Sequence, residues 1–292
     1  MLRFPPRLWL CVLAVSVLSG SCNLIDPEEA MPSFIYIDEL SLEVEPGEGT
    51  ASHKITEVWI YTNGQMLGSF DLPAKVPVLN QGSTDIIMFA GIKNNGISST
   101  RIRYPFYETF DTTLVFSQGS EHFIHPRFAY RNDISIEQYG FEAGSNPFVQ
   151  TGTGDVGLNV NNDDNLVFEG GGSGYAILED GNDQILIKTN ETIEFSPGNT
   201  IFMELNYSCN NTFATGLYAV TDEVESKKLA VVINPTTSGT GNPVWNKIYI
   251  DLGLIPLQNQ NADYFEIYFE SVASGDQTVE FLIDNVKIVQ FD

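Results

Sequence analysis

The chain has 292 residues and a formal net charge of −24, from 38 acidic and 14 basic side chains. A surface this acidic repels nucleic acid and anionic lipid headgroups, which argues against a nucleic-acid partner, and it favours divalent cations. Charged residues make up only 18% and aromatics 12%, which excludes a disordered acidic tail and fits a folded, β-rich chain.

At the start, Arg3 and Arg7 precede an apolar run from Leu8 to Leu18, and Ser19-Gly20-Ser21 then leads to Cys22. That is the layout of a secretory signal peptide. The run is about eleven residues, roughly 16 Å as a helix, too short for a hydrocarbon core of about 30 Å. The string Leu18-Ser19-Gly20-Ser21-Cys22 resembles a bacterial lipobox, with Leu18 one place further out than the commonest pattern. The resemblance implies a signal peptide over 1–21 and palmitate-type lipid on Cys22. Anchoring would then come from acyl chains, at about 0.8 kcal/mol per buried methylene, rather than from a spanning helix. Loss of Arg3 and Arg7 takes the net charge from −24 to −26. The early acids Asp26, Glu28 and Glu29 look like the export signal of surface-facing lipoproteins of the Bacteroidota. The expected location is therefore the bacterial outer membrane, at the cell surface, with the leaflet left open. The alternative is an ordinary cysteine after an ordinary signal-peptidase site. Cys11 leaves with the signal and Cys22 carries lipid, so Cys209 stands alone and no intramolecular disulfide forms. A buried strand position suits it best.

The expected fold class is all-β, two β-sandwich domains with the C-terminal one a jelly roll. A lipidated tether covers 22–32, a small sandwich 33–130, and a larger one 134–292, with the polar seam Arg131-Asn132-Asp133 between them. In the first, Val58 to Thr62 and Gln65 to Phe70 flank Asn63-Gly64, which predicts a hairpin with a type I′ turn. A loop with Pro73 and Pro77, a Gln81-Gly82-Ser83 turn and a strand from Thr84 to Ala90 follow. That order resembles the small PEGA-type β-sandwich of bacterial envelope proteins, over some fifty residues. The stretch from Gly91 to Tyr107, with Tyr104-Pro105-Phe106-Tyr107, puts aromatics either beneath a small core or on an exposed loop.

The second region alternates with a period of two. Ile201, Met203, Leu205 and Tyr207 fall on one face and Glu204 and Asn206 on the other; Phe265, Ile267 and Phe269 likewise oppose Glu266 and Glu270. One apolar face and one wet face is what an antiparallel sandwich requires. Tyr139-Gly140-Phe141-Glu142, Gly170 to Leu178, Trp245 to Asp251 and Phe281 to Ile288 succeed one another along this region. Together they resemble carbohydrate-binding jelly rolls of the galactose-binding-like type.

That resemblance implies a structural calcium shared by Glu142 and Asp284 with loop carbonyls, a donor set of hard oxygens that suits the ion. The alternative is two polar strand ends. Asp163-Asp164 and Asp180-Gly181-Asn182-Asp183 read as plain turns. Sugar binding needs aromatic platforms, for which Trp245, Tyr207, Tyr218 and Tyr264 are the candidates, each with a core role as the alternative. Catalysis has little support. His122 and His125 fall on opposite faces of a strand, and no nucleophile elbow, zinc-protease or phosphate-loop motif is present. The chain therefore reads as a non-catalytic, membrane-tethered module that binds glycan through the jelly roll. The competing reading is a structural accessory of an envelope machine, of the secretion or gliding type, which contacts protein through the aromatics around Tyr104 to Tyr107.

Overall fold

The computed structural model describes residues 31–179, 181–274 and 277–292. The expectations for the signal peptide, for Cys22, for most of the tether and for Asp180 lie outside those residues.

The region before residue 131 contributes β1 (Ser33–Ile37), β2 (Ser41–Glu43), β3 (Glu57–Thr62), β4 (Gln65–Asp71) and β5 (Ala74–Val78). It continues with β6 (Gly82–Lys93), β7 (Arg101–Arg103), β8 (Phe110–Phe116), β9 (Glu121–Phe123) and β10 (Arg127–Ala129). One sheet runs β4-β3-β6-β7 with β8 also on β6, a second runs β5-β1-β9, and β10 pairs with β2. The β3–β4 hairpin forms as its sequence predicts. Asn63 and Gly64 take φ of 48° and 76°, and Thr62 pairs with Gln65. Pro77 sits in β5 without cost to the ladder because β5 is an edge strand.

The second region contributes β11 (Ile134–Tyr139), β12 (Phe148–Gln150), β13 (Asn159–Asn161), β14 (Ser173–Leu178) and β15 (Gln184–Thr189). Then come β16 (Ile201–Cys209), β17 (Phe213–Thr221), β18 (Val224–Ile233), β19 (Asn246–Asp251), a short helix α1 (Leu254–Gln258), β20 (Tyr264–Val272) and β21 (Val279–Phe291). A six-stranded sheet runs β13-β14-β21-β16-β19, with β11 on the C-terminal half of β21. It faces a five-stranded sheet, β12-β15-β20-β17-β18, and the named pairings in both are antiparallel. Met203, Leu205, Leu217, Ile267, Phe269, Phe281 and Ile283 fill the space between them. This is the jelly-roll sandwich of an all-β chain. Cys209 is buried in it, and burial pushes its thiol up to about 11.

One expectation is overturned. The alternation in β16 separates two faces, but neither is wet: Glu204 and Asn206 are buried along with Met203 and Leu205. The cause is the first region, which packs on the outer face of the six-stranded sheet. Phe202, Tyr249 and Val289 from that face join Ile92, Tyr104, Phe106, Tyr107 and Tyr130 in one apolar cluster. Tyr104 meets Phe202 edge-on at 5.5 Å and Tyr249 at 4.8 Å, while Phe106 lies 4.9 Å from Phe291. Each buried aromatic contributes about 1.5–3 kcal/mol, so this joint is strong on the scale of a whole fold. It also closes the Tyr104–Tyr107 aromatics to solvent, so they offer no surface for a protein partner.

Candidate ligand-binding groove

The turn after β6 reaches across to the edge of β19. Asn95 and Gly96 carry φ of 54° and 70°, folding the chain back sharply. Asn94 then bridges to Tyr249, the Asn95 N–H donates to the Tyr249 carbonyl at 2.9 Å, and the Asn95 side chain accepts from the Asp251 N–H at 2.9 Å. β19 ends its sheet, so this turn satisfies backbone groups that would otherwise be bare.

Between that turn, the segment before β3 and the ends of β18 and β19 lies a groove of about 690 Å³, lined among others by Lys54, Lys93, Asn95, Thr236, Trp245 and Asn246. Its size is that of a small-ligand site. Trp245 stands just before β19, half-buried, with its ring 5.4 Å from Phe168. Its indole N–H is shielded from water yet has no partner among the described residues. Tyr207 also borders the groove, but its ring belongs to the sandwich core and is closed to a stacking ligand. Its hydroxyl accepts from Asn246 Nδ2 at 2.8 Å and so fixes that amide. Asn246 Oδ1 accepts from the Lys54 ammonium, and the Lys54 N–H donates to the Tyr249 hydroxyl at 3.0 Å. Burial, and then the Lys93 charge, hold the Lys54 ammonium below its ordinary range.

Under the groove, Lys247 turns inward to Glu204, Nζ to Oε2 at 2.8 Å. Burial pushes the Glu204 carboxyl up, but Lys247, Lys287 and the Tyr104 hydroxyl outweigh it and hold the group ionised below the usual carboxylate range.

Tyr218 and Tyr264 lie elsewhere, with Leu186 and Tyr268 on the outer face of the five-stranded sheet. Tyr218 and Tyr268 are 5.3 Å apart. Lys188 bonds Glu225 at 2.7 Å and Glu266 at 2.8 Å, and Lys227 bonds Glu270 at 2.7 Å. Burial lowers the Lys188 ammonium, yet its two carboxylates outweigh that and hold it above the ordinary range. Lys188 and Lys227 on this face are thus already paired with its glutamates.

Glu142 and Asp284 grip the same loop. The Gly171 N–H donates to both Glu142 oxygens at 3.1 Å, and the Glu169 N–H donates to Asp284 Oδ2 at 3.3 Å. Burial pushes the Asp284 carboxyl up to about 6, against the pull of the backbone N–H donors, with the Glu142 charge adding to the rise. Among the described residues no three His, Cys, Asp or Glu side chains cluster as a metal site. A cation here would take these two carboxylates and complete its shell with loop carbonyls, a hard-oxygen set that suits calcium. Asp163 makes the turn expected of it, accepting from the Asn165 N–H at 3.0 Å.

Sequence reasoning singled out Trp245 and the Gly91–Ile97 stretch but not their meeting. Lys93 lies inside that stretch without being distinguished in it, and Lys54 and Phe168 carried no signal, since a lone lysine or phenylalanine has no pattern to announce it.

No protein-family model matches the chain. No curated protein matches it either. Among solved structures it is similar to a mutant of a family 29 carbohydrate-binding module complexed with mannohexaose, at 12% identity over 53% of this chain and 92% of that one, TM-score 0.35. Another family 29 carbohydrate-binding module aligns at 14% identity over 53% and 88%, TM-score 0.34. The enzymatically active domain of tailspike protein 4 of bacteriophage CBA120 aligns at 15% over 54% and 19%, TM-score 0.33.

Proposed function

We propose that the chain is a non-catalytic glycan-binding module, tethered to the bacterial outer membrane by lipid on Cys22, with the sugar seated in the groove beside Trp245. The observation that carries this reading is the Trp245 indole, half-buried in the wall of a groove of small-ligand size. Sugar C–H faces pack on aromatic rings, and the fixed Asn246 amide adds a planar polar group beside the platform. A structural calcium held by Glu142 and Asp284 belongs to the same proposal, as a clamp on the loop that carries Phe168.

The test is calorimetric titration of the chain with a panel of oligosaccharides. Trp245→Ala is expected to abolish the response, and Trp245→Phe to weaken it while keeping the stack. Undiminished binding by Trp245→Ala would remove the groove from this reading.

One observation favours a protein partner instead. β18 ends its sheet, and Val224, Leu229 and Val232 on it are exposed. An exposed apolar edge is where another chain adds a strand. Crosslinking from Lys228 to a membrane protein, with no glycan bound, would favour the accessory reading over the glycan one.

A further inference from the structure

We infer that the groove selects acidic saccharides, a carboxylate or sulfate of the sugar bridging Lys54 and Lys93 while a ring lies on Trp245. This deepens the glycan reading above and rests on it.

The chain has 38 acidic side chains, yet none of the described residues lining the groove is acidic and three are lysine. Lys247 is neutralised by Glu204. Lys54 and Lys93 form no ion pair with a carboxylate among the described residues, although most other basic side chains do. They are close enough that the charge of one disfavours the charge of the other. Holding like charges together beside a cavity is unfavourable unless an anion arrives to bridge them. Lys54 is further fixed by Asn246, which ties the cation to the strand that follows Trp245.

The net charge of −24 does not forbid this. At physiological salt the screening length is about 8 Å, so distant acids are largely damped while groove-lining lysines act at contact. Local composition decides, and locally the groove is cationic. A saccharide is preferred to an acidic peptide because the half-exposed indole in the groove wall offers a flat apolar face on which the C–H face of a sugar ring packs.

The experiment is calorimetric titration of the full chain with oligogalacturonate, sulfated chondroitin oligosaccharide, mannohexaose and oligoglutamate. The expected result is at least tenfold tighter binding of one acidic saccharide than of mannohexaose, weakening as salt rises. Lys54→Gln combined with Lys93→Gln should loosen the acidic ligand about tenfold and a neutral sugar much less, since both lose the Lys54 hold on Asn246 but only the acidic ligand loses its counter-charges. Oligogalacturonate bears carboxylate alone and sulfated chondroitin bears both anions, so a preference for the second identifies sulfate and its absence identifies carboxylate. Both lysines are at least partly exposed, and an unchanged melting curve verifies that the variant folds. Mannohexaose bound as tightly as either acidic sugar, with that binding lost in Trp245→Ala, would overturn this inference and keep the glycan reading. Oligoglutamate binding as tightly as the sugars, or no sugar binding at all, would overturn both.

Discussion

Lys247 and Glu204 form an ion pair at 2.8 Å in which the lysine side chain keeps 3% of its exposure and the glutamate none. The pair stands on the outer face of the six-stranded sheet, where Tyr104 and Tyr130 of the first region each donate a hydroxyl to Glu204 Oε1 at 2.8 Å. The two halves of the chain thus share a charged joint as well as an apolar one.

Removing one partner leaves the other charge buried without compensation, which costs about 3–5 kcal/mol. Glu204→Gln is therefore expected to lower the melting temperature by about 10 °C, and Tyr104→Phe, which leaves the Tyr130 bond in place, by only a few degrees. Both regions should melt in one transition, because neither keeps its cluster when the other unfolds. Scanning calorimetry reads both points. A biphasic melt, or a Glu204→Gln variant as stable as the parent, would show that the joint is dispensable.

The same cluster sets the alkaline limit. Burial first, and then the negative charge of Glu204, raise the phenols of Tyr104, Tyr107, Tyr130 and Tyr249 above their ordinary range. In the unfolded chain these phenols ionise near pH 10, and in the fold they stay protonated. Their stabilisation is complete below about pH 10 and is lost as pH climbs past it. Lys287 acts in the opposite sense. Burial lowers its ammonium to about 8, so its contribution to stability grows as pH rises from 8 towards the ordinary lysine value of about 10.4. Stability should therefore hold or rise up to about pH 10 and then fall steeply. Phenolate absorbance should show at least four of the twelve tyrosines, Tyr104, Tyr107, Tyr130 and Tyr249 among them, ionising only as the protein unfolds. Free titration of all twelve before unfolding would contradict the buried cluster.

How much of this was legible beforehand depends on range. The Asn63-Gly64 hairpin was readable because the turn chemistry lies within four consecutive residues. The alternation of Ile201, Met203, Leu205 and Tyr207 showed a strand with one core face. It could not show that Glu204 and Asn206 would be covered too, because what covers them comes from about one hundred residues earlier. The groove is harder still. Lys54 and Asn246 are 192 positions apart, and only the packing of one region on the other brings them together. Trp245 was visible as a candidate from its residue type, but its unpaired indole nitrogen is a property of the fold. The acids Glu142 and Asp284 were named from a resemblance, and their shared loop appears only once β21 is laid beside β14.

Glycine positions offer a comparison of two mechanisms. A Cβ at Gly91 would fall 2.2 Å from Cγ of Glu57, a buried carboxylate that accepts from Trp59 Nε1 at 2.9 Å and pairs with Arg101 at 3.2 Å. Gly91→Ala must displace that group and is expected to cost about 3 kcal/mol. At Gly64 a Cβ meets nothing within 4 Å, and only the φ of 76° is unfavourable. Gly64→Ala should cost about 1 kcal/mol. Urea midpoints of the two variants check the ranking, and equal losses would mean that Glu57 moves aside freely.

The calcium proposal is the most open to direct test. Glu142 and Asp284 converge on the loop from Phe168 to Gly171, one at its far end and one at its near end. In each case a backbone N–H donates to the carboxylate. An ion at this place would compete with those donors for the oxygens, and its gain is the relief of two like charges, one of them on a side chain only 2% exposed. A ligand that binds the native state alone stabilises it by about 2.7 kcal/mol at a hundred times its dissociation constant. At about 2–4 °C per kcal/mol that is a rise of several degrees in millimolar calcium over EGTA. Asp284→Asn should erase the difference between the two buffers, and Lys247→Met, on the opposite side of β16 from this loop, should preserve it whatever it does to the absolute melting temperature. If calcium also orders the Phe168 loop against Trp245, glycan titrations in EGTA should weaken in parallel. Superimposable melts in the two buffers would remove the ion and leave Glu142 and Asp284 as hydrogen-bonded clasps on a loop.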